Sequence, residues 1–141
     1  MKEKSCGAII INDNKVLLVK QTSNTINFPK GHVENNETEI ETAIREVKEE
    51  TNLDIKILPE YRYVNSYIMD NNVQKDVIFF LAIPQSFNIV KQEKEISDIF
   101  WCDIDKVVNH LQFENQHELW NKVIKDIKKI FRYIYNKDKK I

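Results

Sequence analysis

Glycine is almost missing from this chain: Gly7 and Gly31 are the only two in 141 residues, beside three prolines and two cysteines. Scarcity of glycine and proline excludes collagen-like and linker-rich architectures and argues against long disordered stretches. Cys6 and Cys102 are too few for a disulfide framework or a zinc set. Each reads as a small core residue. No apolar run approaches the roughly 20 residues that a membrane-spanning helix requires. Met1-Lys2-Glu3-Lys4-Ser5 lacks the pattern of a secretory leader. A cytoplasmic protein with no membrane partner is the expectation. The net charge is only −1, so no global field gathers polyanions. Charge is uneven, however. From Trp120 to Ile141 there are eight Lys/Arg against two Asp. An acidic body with a basic C-terminal helix is consistent with a phosphate-bearing substrate.

Hydrophobic residues at 42% and charged residues at 30% are ordinary globular values, and this length suits one domain over residues 1–141. Ser5 to Ile11 and Lys15 to Lys20 read as two strands joined by a tight turn at Asn12-Asp13-Asn14. Leu53 to Ile57 alternates as a strand that Pro59 should break, and residues 60–83 read as a hairpin turning at Asp70-Asn71-Asn72. Val77 to Ile83 is apolar on both faces, as in a strand buried on two sides. A short edge strand is expected at Phe87-Asn88-Ile89, another strand at Ile99 to Cys102, and a helix capped by Asp103 or Asp105. Leu119, Val123, Ile127 and Ile130 repeat at helical spacing, which predicts an amphipathic helix over about 115–135 and a short basic tail at 136–141. Strands between helices give an α/β fold with α/β/α layers.

The densest chemistry lies between Gly31 and Leu53. Asn36 with Glu39 reads as a capping box. Ile40, Ala43, Ile44 and Val47 then form one apolar helix face. Glu46, Glu49 and Glu50 share a second arc about 100° wide, centred about 120° from the first. Glu46 and Glu50, four residues apart, repel on a bare helix; a divalent cation would turn that repulsion into ligation, and Mg²⁺ favours carboxylate, water and phosphate oxygens. Glutamate-rich helices are commonly just solvated, so the cluster alone leaves both readings open. Arg45 is suited to hold a carboxylate in bidentate fashion. Phe28-Pro29-Lys30-Gly31-His32 is a loop leading toward the helix N-terminus, a plausible phosphate approach.

Taken whole, the segment resembles the box of the Nudix hydrolases, G-x5-E-x7-R-E-U-x-E-E-x-G-U with U aliphatic. Gly31, Glu37, Arg45, Glu46, Val47, Glu49, Glu50 and Leu53 match; Asn52 stands where the family has Gly. Asn is the residue that best replaces Gly in a left-handed cap. The resemblance implies a mixed sheet between the box helix and a C-terminal helix. It also implies Mg²⁺- or Mn²⁺-dependent hydrolysis of a nucleoside diphosphate linked to another group. By matching position it implies Glu46, Glu49 and Glu50 as metal ligands, joined by the carbonyl oxygen of Lys30, with Glu37 and Arg45 orienting the cluster. An extra carboxylate, ligand or general base, would come from Glu95, with Glu93 as its rival.

Phe28 to Glu34 and Lys75 to Ala82 are also similar to one branch, the asymmetric diadenosine tetraphosphate hydrolases. That similarity implies cleavage of diadenosine tetraphosphate to ATP and AMP, with Phe79 and Phe113 stacking on adenine and Lys30, His32 and Lys75 contacting phosphate. Core packing is the competing role for both phenylalanines, and loop packing for His32. Alternation puts Lys75, Val77 and Phe79 on one strand face. The box does not separate this substrate from nucleoside triphosphates (oxidised ones included), nucleotide sugars or a 5′-triphosphate RNA end, the one nucleic-acid partner expected. A non-catalytic nucleotide sensor is the alternative outside enzymology, though it has no use for three clustered carboxylates.

Overall fold

Continuous apolar runs, Ala8 to Ile11 and Val77 to Ala82 among them, build a sheet buried on both sides. The computed structural model describes residues 2–139, and side chains through Tyr133. Strands β1 (Lys2–Asn12), β2 (Lys15–Gln21), β3 (Ile26–Asn27) and β4 (Lys30–His32) precede helix α1 (Glu39–Thr51). Strands β5 (Ile55–Ile68), β6 (Gln74–Pro84) and β7 (Ile96–Asp103) follow, then a 3₁₀ turn (Ile104–Lys106) and helices α2 (Val107–His110) and α3 (Glu114–Lys139). β1 runs parallel to β6 from Lys2↔Gln74 to Ile10↔Ala82, while β5 pairs antiparallel with β6 and β4 antiparallel with β1. β2 meets β1 only at the hairpin end, then pairs with β3 and β7.

Successive residues of β1 and β6 point to opposite layers. Cys6, Ala8 and Ile10 with Ile78, Phe80 and Ala82 pack under Ala43, Val47 and Leu53 on the α1 side. Ile9 and Ile11 with Val77, Phe79 and Leu81 pack under Leu119, Trp120, Val123 and Ile127 of α3. The continuous apolar run of β6 therefore has two cores to fill, and the α/β/α layering follows.

Five local expectations change. Thr38, not Asn36, caps α1: its Oγ1 accepts from the Glu41 amide at 3.1 Å and Glu41 Oε1 accepts from the Thr38 amide at 3.0 Å. The chain stays non-helical through Glu37 because that carboxylate turns back to accept from the Glu34 amide at 3.0 Å. Pro59 does not end its strand. β5 continues through it because the register shifts between Leu58 and Arg62, a bulge on an edge strand where proline has no ladder bond to lose. Phe87 to Ile89 is not a strand; the end of α1 uses this loop instead, through Asn52 Nδ2→Asn88 O at 2.8 Å and Val90 N→Thr51 O at 3.0 Å. Asp103 precedes only the 3₁₀ turn and makes no side-chain cap bond. α3 extends past 135 to Lys139, so most of the expected tail is helical; Lys140 and Ile141 lie outside the described residues. Among the described residues no helix is long and apolar enough to cross a membrane.

Glu39 ties α1 to the sheet. It accepts from Arg62 Nε at 2.7 Å and Nη2 at 2.9 Å, and pairs with Lys4 Nζ at 2.6 Å. The hydrogen bonds from Arg62, aided by Lys4 against a burial penalty, hold its carboxyl at about 2 rather than 4.5. A depressed carboxyl contributes stability that is complete above its unfolded value and lost as pH falls through its folded one. Glu39→Gln is therefore expected to cost about 1–2 kcal/mol at pH 7. The gap between variant and parent should close near pH 2, as denaturant melts at the two pH values will show.

Candidate functional site: a carboxylate helix beside a nucleotide-sized cavity

Both glycines serve the same approach of backbone to backbone and side chain. A Cβ on Gly7 would overlap the Pro29 carbonyl and fall 2.8 Å from Lys30 Cα, and one on Gly31 would overlap the Glu46 carboxylate. Neither has a positive φ, so their contribution is space rather than a turn conformation. Gly7 lets the Pro29-Lys30 segment lie against β1, where the Ala8 amide donates to Pro29 O at 3.2 Å. Gly31 then lets β4 sit against the carboxylates of α1. At the other end of α1, Asn52 adopts φ 69°. It fills the left-handed cap expected of glycine and adds the side-chain bond to Asn88 that glycine lacks.

Arg45 organises the acidic side chains. Its Nε and Nη2 hold Glu37 at 2.7 and 2.9 Å, Nη2 also donates to the His32 carbonyl at 2.9 Å, and Nη1 reaches Glu46 at 2.9 Å and Glu49 at 3.2 Å. The Arg45 guanidinium holds the Glu37 carboxyl at about 2, and these acceptors raise the affinity of Arg45 for its proton. Glu50 lies apart from this network and is only 6% exposed. Burial first, and the charge of Glu46 next, push its carboxyl up to about 8, against the pull of Lys30 and a hydrogen bond from the Lys30 backbone. Burial also raises Glu46, with Arg45 opposing. Lys30 is lowered by burial and by Lys75, while Glu50 and Glu46 oppose the shift. Glu95 is the loop carboxylate whose charge bears on Glu50; its backbone is anchored by the Thr22 amide at 2.9 Å.

Among the described residues no three acidic, histidine or cysteine side chains already converge as a cage, because Glu46 and Glu49 are turned onto Arg45. The donor set nonetheless fits a hard divalent ion. Glu46 and Glu50 are oxygen donors whose mutual repulsion and burial leave them short of positive charge. Glu49 is half exposed, with Arg45 as its partner at 3.2 Å.

Across β4, on the α3 side of the sheet, is a cavity of about 590 Å³ lined by Lys30, Asn65, Tyr67, Val77, Phe79 and Phe113 among others. Phe79 is 1% exposed and meets Phe28 edge-on at 5.4 Å. It is the cavity floor and part of the core, without a free face for stacking. Phe113 is 55% exposed at the rim, with its face available. Lys75 is 8% exposed and does not line the cavity, and it forms no ion pair among the described residues. His32 does not line the cavity: it stands opposite Ser5 on the same sheet face, with Nε2 3.5 Å from Glu3; its carbonyl, bound by Arg45, is what belongs to the site. Asn65, Tyr67 and Gln116 were not singled out in the sequence. The alternation of Tyr61, Tyr63, Asn65 and Tyr67 was the available signal for two of them. Gln116, buried, accepts from the Gln112 and Phe113 amides at 3.0 Å each and donates to Ile26 O at 3.2 Å. It fixes the Phe113 loop, and no motif announces it.

The family model described as "NUDIX domain" matches residues 1–123. A bis(5′-nucleosyl)-tetraphosphatase [asymmetrical] of Sus scrofa is 30% identical over 131 residues, covering 82% of this chain and 88% of the relative. An mRNA-decapping enzyme subunit 2 of Saccharomyces cerevisiae is 38% identical over 107 residues, covering 72% of this chain; the match spans only 11% of that relative's length. Among solved structures, a C. elegans Ap4A hydrolase binary complex superposes with a TM-score of 0.81 at 23% identity, covering 89% of this chain and 98% of the other.

Proposed function

Because this chain belongs to the Nudix hydrolase family, we propose that it is a cytoplasmic, metal-dependent phosphoanhydride hydrolase that cleaves diadenosine tetraphosphate to ATP and AMP, with residues 1–141 forming one catalytic domain. Lys30 carries the reading. Its side chain lines the cavity while its backbone donates to Glu50, so a nucleoside held in the cavity would direct its phosphates at the carboxylate helix. The near end-to-end match to the Sus scrofa tetraphosphatase supports the same substrate.

In this proposal Glu46, Glu49 and Glu50 hold Mg²⁺, or Mn²⁺ in its place, and Glu95 supplies a further carboxylate from the loop. Bound there, the metal activates water and neutralises charge on the phosphoryl oxygens. Arg45 and Glu37 keep the carboxylates aimed; Glu49 leaves Arg45 to ligate. Phe113 stacks on a base at the rim, and Lys30 and Lys75 meet the phosphate chain, while His32 contributes its carbonyl rather than its ring. In-line attack on phosphorus requires positioning more than covalent chemistry.

The test is a Mg²⁺-dependent screen of diadenosine tetraphosphate, ATP, 8-oxo-dGTP, ADP-ribose and capped and 5′-triphosphate RNA. Equal yields of ATP and AMP, at the highest kcat/KM, are expected. Preference for an RNA end would replace this substrate with the one suggested by the decapping relative. Binding without turnover of any compound would leave a nucleotide sensor. Phe113→Ala should raise KM about tenfold with kcat kept, the size of one base–aromatic stack; a drop in melting temperature with KM unchanged would assign the ring to packing.

A further inference from the structure

We propose that the Ser5 hydroxyl, set diagonally between Lys30 and Lys75 on the cavity face of the sheet, completes a three-point cradle for non-bridging phosphate oxygens. The placement follows from strand register. Cys6, Ala8 and Ile10 face α1 and Ile9 faces α3, so Glu3, Ser5 and Gly7 face the cavity side. Gly7 pairs with Lys30 on β4, Ser5 with Val77 on β6, and Glu3 with Lys75 on β6. Lys30 is therefore one diagonal step from Ser5 on one side, and Lys75 one diagonal step on the other. Such steps separate side chains by about 7–8 Å, within the reach of lysine.

None of the three side chains makes a hydrogen bond or salt bridge among the described residues, although the carboxylates of Glu50 and Glu46 act on Lys30 from a distance. Ser5 is 1% exposed, and its Oγ is the one buried side-chain polar atom without a hydrogen bond among the described residues. Lys75 is 8% exposed. Neither lysine forms a salt bridge among the described residues, for Glu3, opposite Lys75, lies instead 3.5 Å from His32, and Glu46 is held by Arg45. A buried unpaired hydroxyl costs free energy, and a buried unpaired ammonium costs more. Alanine, as at Ala8, would suit the strand without that cost. Two cations and one hydroxyl donor match the oxygens of a phosphoryl group. The hydroxyl is closed to solvent, with His32 on β4 and Val77 on β6 directly opposite Ser5, so the cradle requires the side chains around it to shift before a phosphate reaches it.

The identification of the ligand as a nucleotide's phosphate chain rests on the hydrolase reading; the cradle itself is tested without turnover. Sodium tripolyphosphate, titrated calorimetrically into metal-free protein, is the probe. Ser5→Ala should weaken its binding about tenfold, the effect of one hydrogen bond to a charged acceptor. The melting temperature should hold or rise, because no protein bond is lost. Ser5→Cys, which keeps volume and gives up the strong donor, should follow it, and Lys75→Met should lose more. Adenosine affinity should not change. Equal tripolyphosphate binding by Ser5→Ala and parent, or no binding by the parent, overturns the cradle; so does a lower melting temperature with affinity intact. If no nucleotide is hydrolysed while tripolyphosphate binding still depends on Ser5, the hydrolase reading fails and the cradle stands.

Discussion

Glu50→Gln is expected to lower turnover on the order of 10³-fold or more, the scale on which several kcal/mol of metal-assisted charge stabilisation registers in a rate. The fold should be unharmed. Glu50 is buried beside Glu46, and its carboxyl sits at about 8, so the metal-free protein at neutral pH already carries it largely protonated. Glutamine copies that neutral form in size and shape. The sign of the pH effect separates this from a surface glutamate. A carboxyl raised from 4.5 to about 8 binds more protons folded than unfolded across that interval, so stability of the metal-free parent must fall as pH climbs through it. Glu50→Gln removes this group's share of the decline. Melting curves of the metal-free proteins at pH 5 and pH 8 should converge at the lower value and favour the variant at the higher. Added Mg²⁺, which binds the ionised form, should raise the parent's melting temperature at pH 8 and leave the variant's nearly unchanged. Near-normal turnover in Glu50→Gln would refute the assignment of this carboxylate to metal.

Periodicity made the layers legible because it is a local property. Alternation along Leu53 to Ile57 and the two-faced run of Val77 to Ala82 state which side of a strand is buried, and the four-residue spacing of Leu119, Val123 and Ile127 states the same for a helix. The box was legible for the same reason: Arg45, Glu46, Glu49 and Glu50 lie on one helix, and Glu37 stands a fixed distance before it. What the sequence hid depends on distant partners. Pro59 sits inside a strand because of a register slip against β6. Phe87 to Ile89 gives its backbone groups to the end of α1. Phe79 and Phe113 are both candidate stacking rings in the sequence, yet the cover of Phe28 and α3 makes one a floor, and the start of α3 leaves the other at the rim. Ser5 carries no motif at all. Its isolation emerges only when β4 and β6 are laid on either side of β1.

Gly31→Ala and Gly7→Ala should separate chemistry from folding, although each adds one methyl group to the same small region. At Gly31 the new Cβ meets the Glu46 carboxylate, the far end of a flexible side chain. Backbone conformation is no obstacle, since φ is not positive. Glu46 can swing aside at little cost, so the fold should persist with a melting temperature within a few degrees of the parent. Its carboxylate would then leave both Arg45 and the metal-binding arc. Turnover should fall about 100-fold or more, the penalty typical of displacing a positioning group by an ångström or so. At Gly7 the new Cβ meets the Pro29 carbonyl and the Lys30 backbone, which have no rotamer to change. There the strand pair itself must part, and the loss should be about 1–3 kcal/mol of stability, as for other overpacked sites. Thermal melts and metal-dependent turnover on the two variants give the comparison directly. Comparable destabilisation by Gly31→Ala would mean that Glu46 is too firmly held by Arg45 to yield, and that this glycine is retained for the packing of β4 before it is retained for the metal.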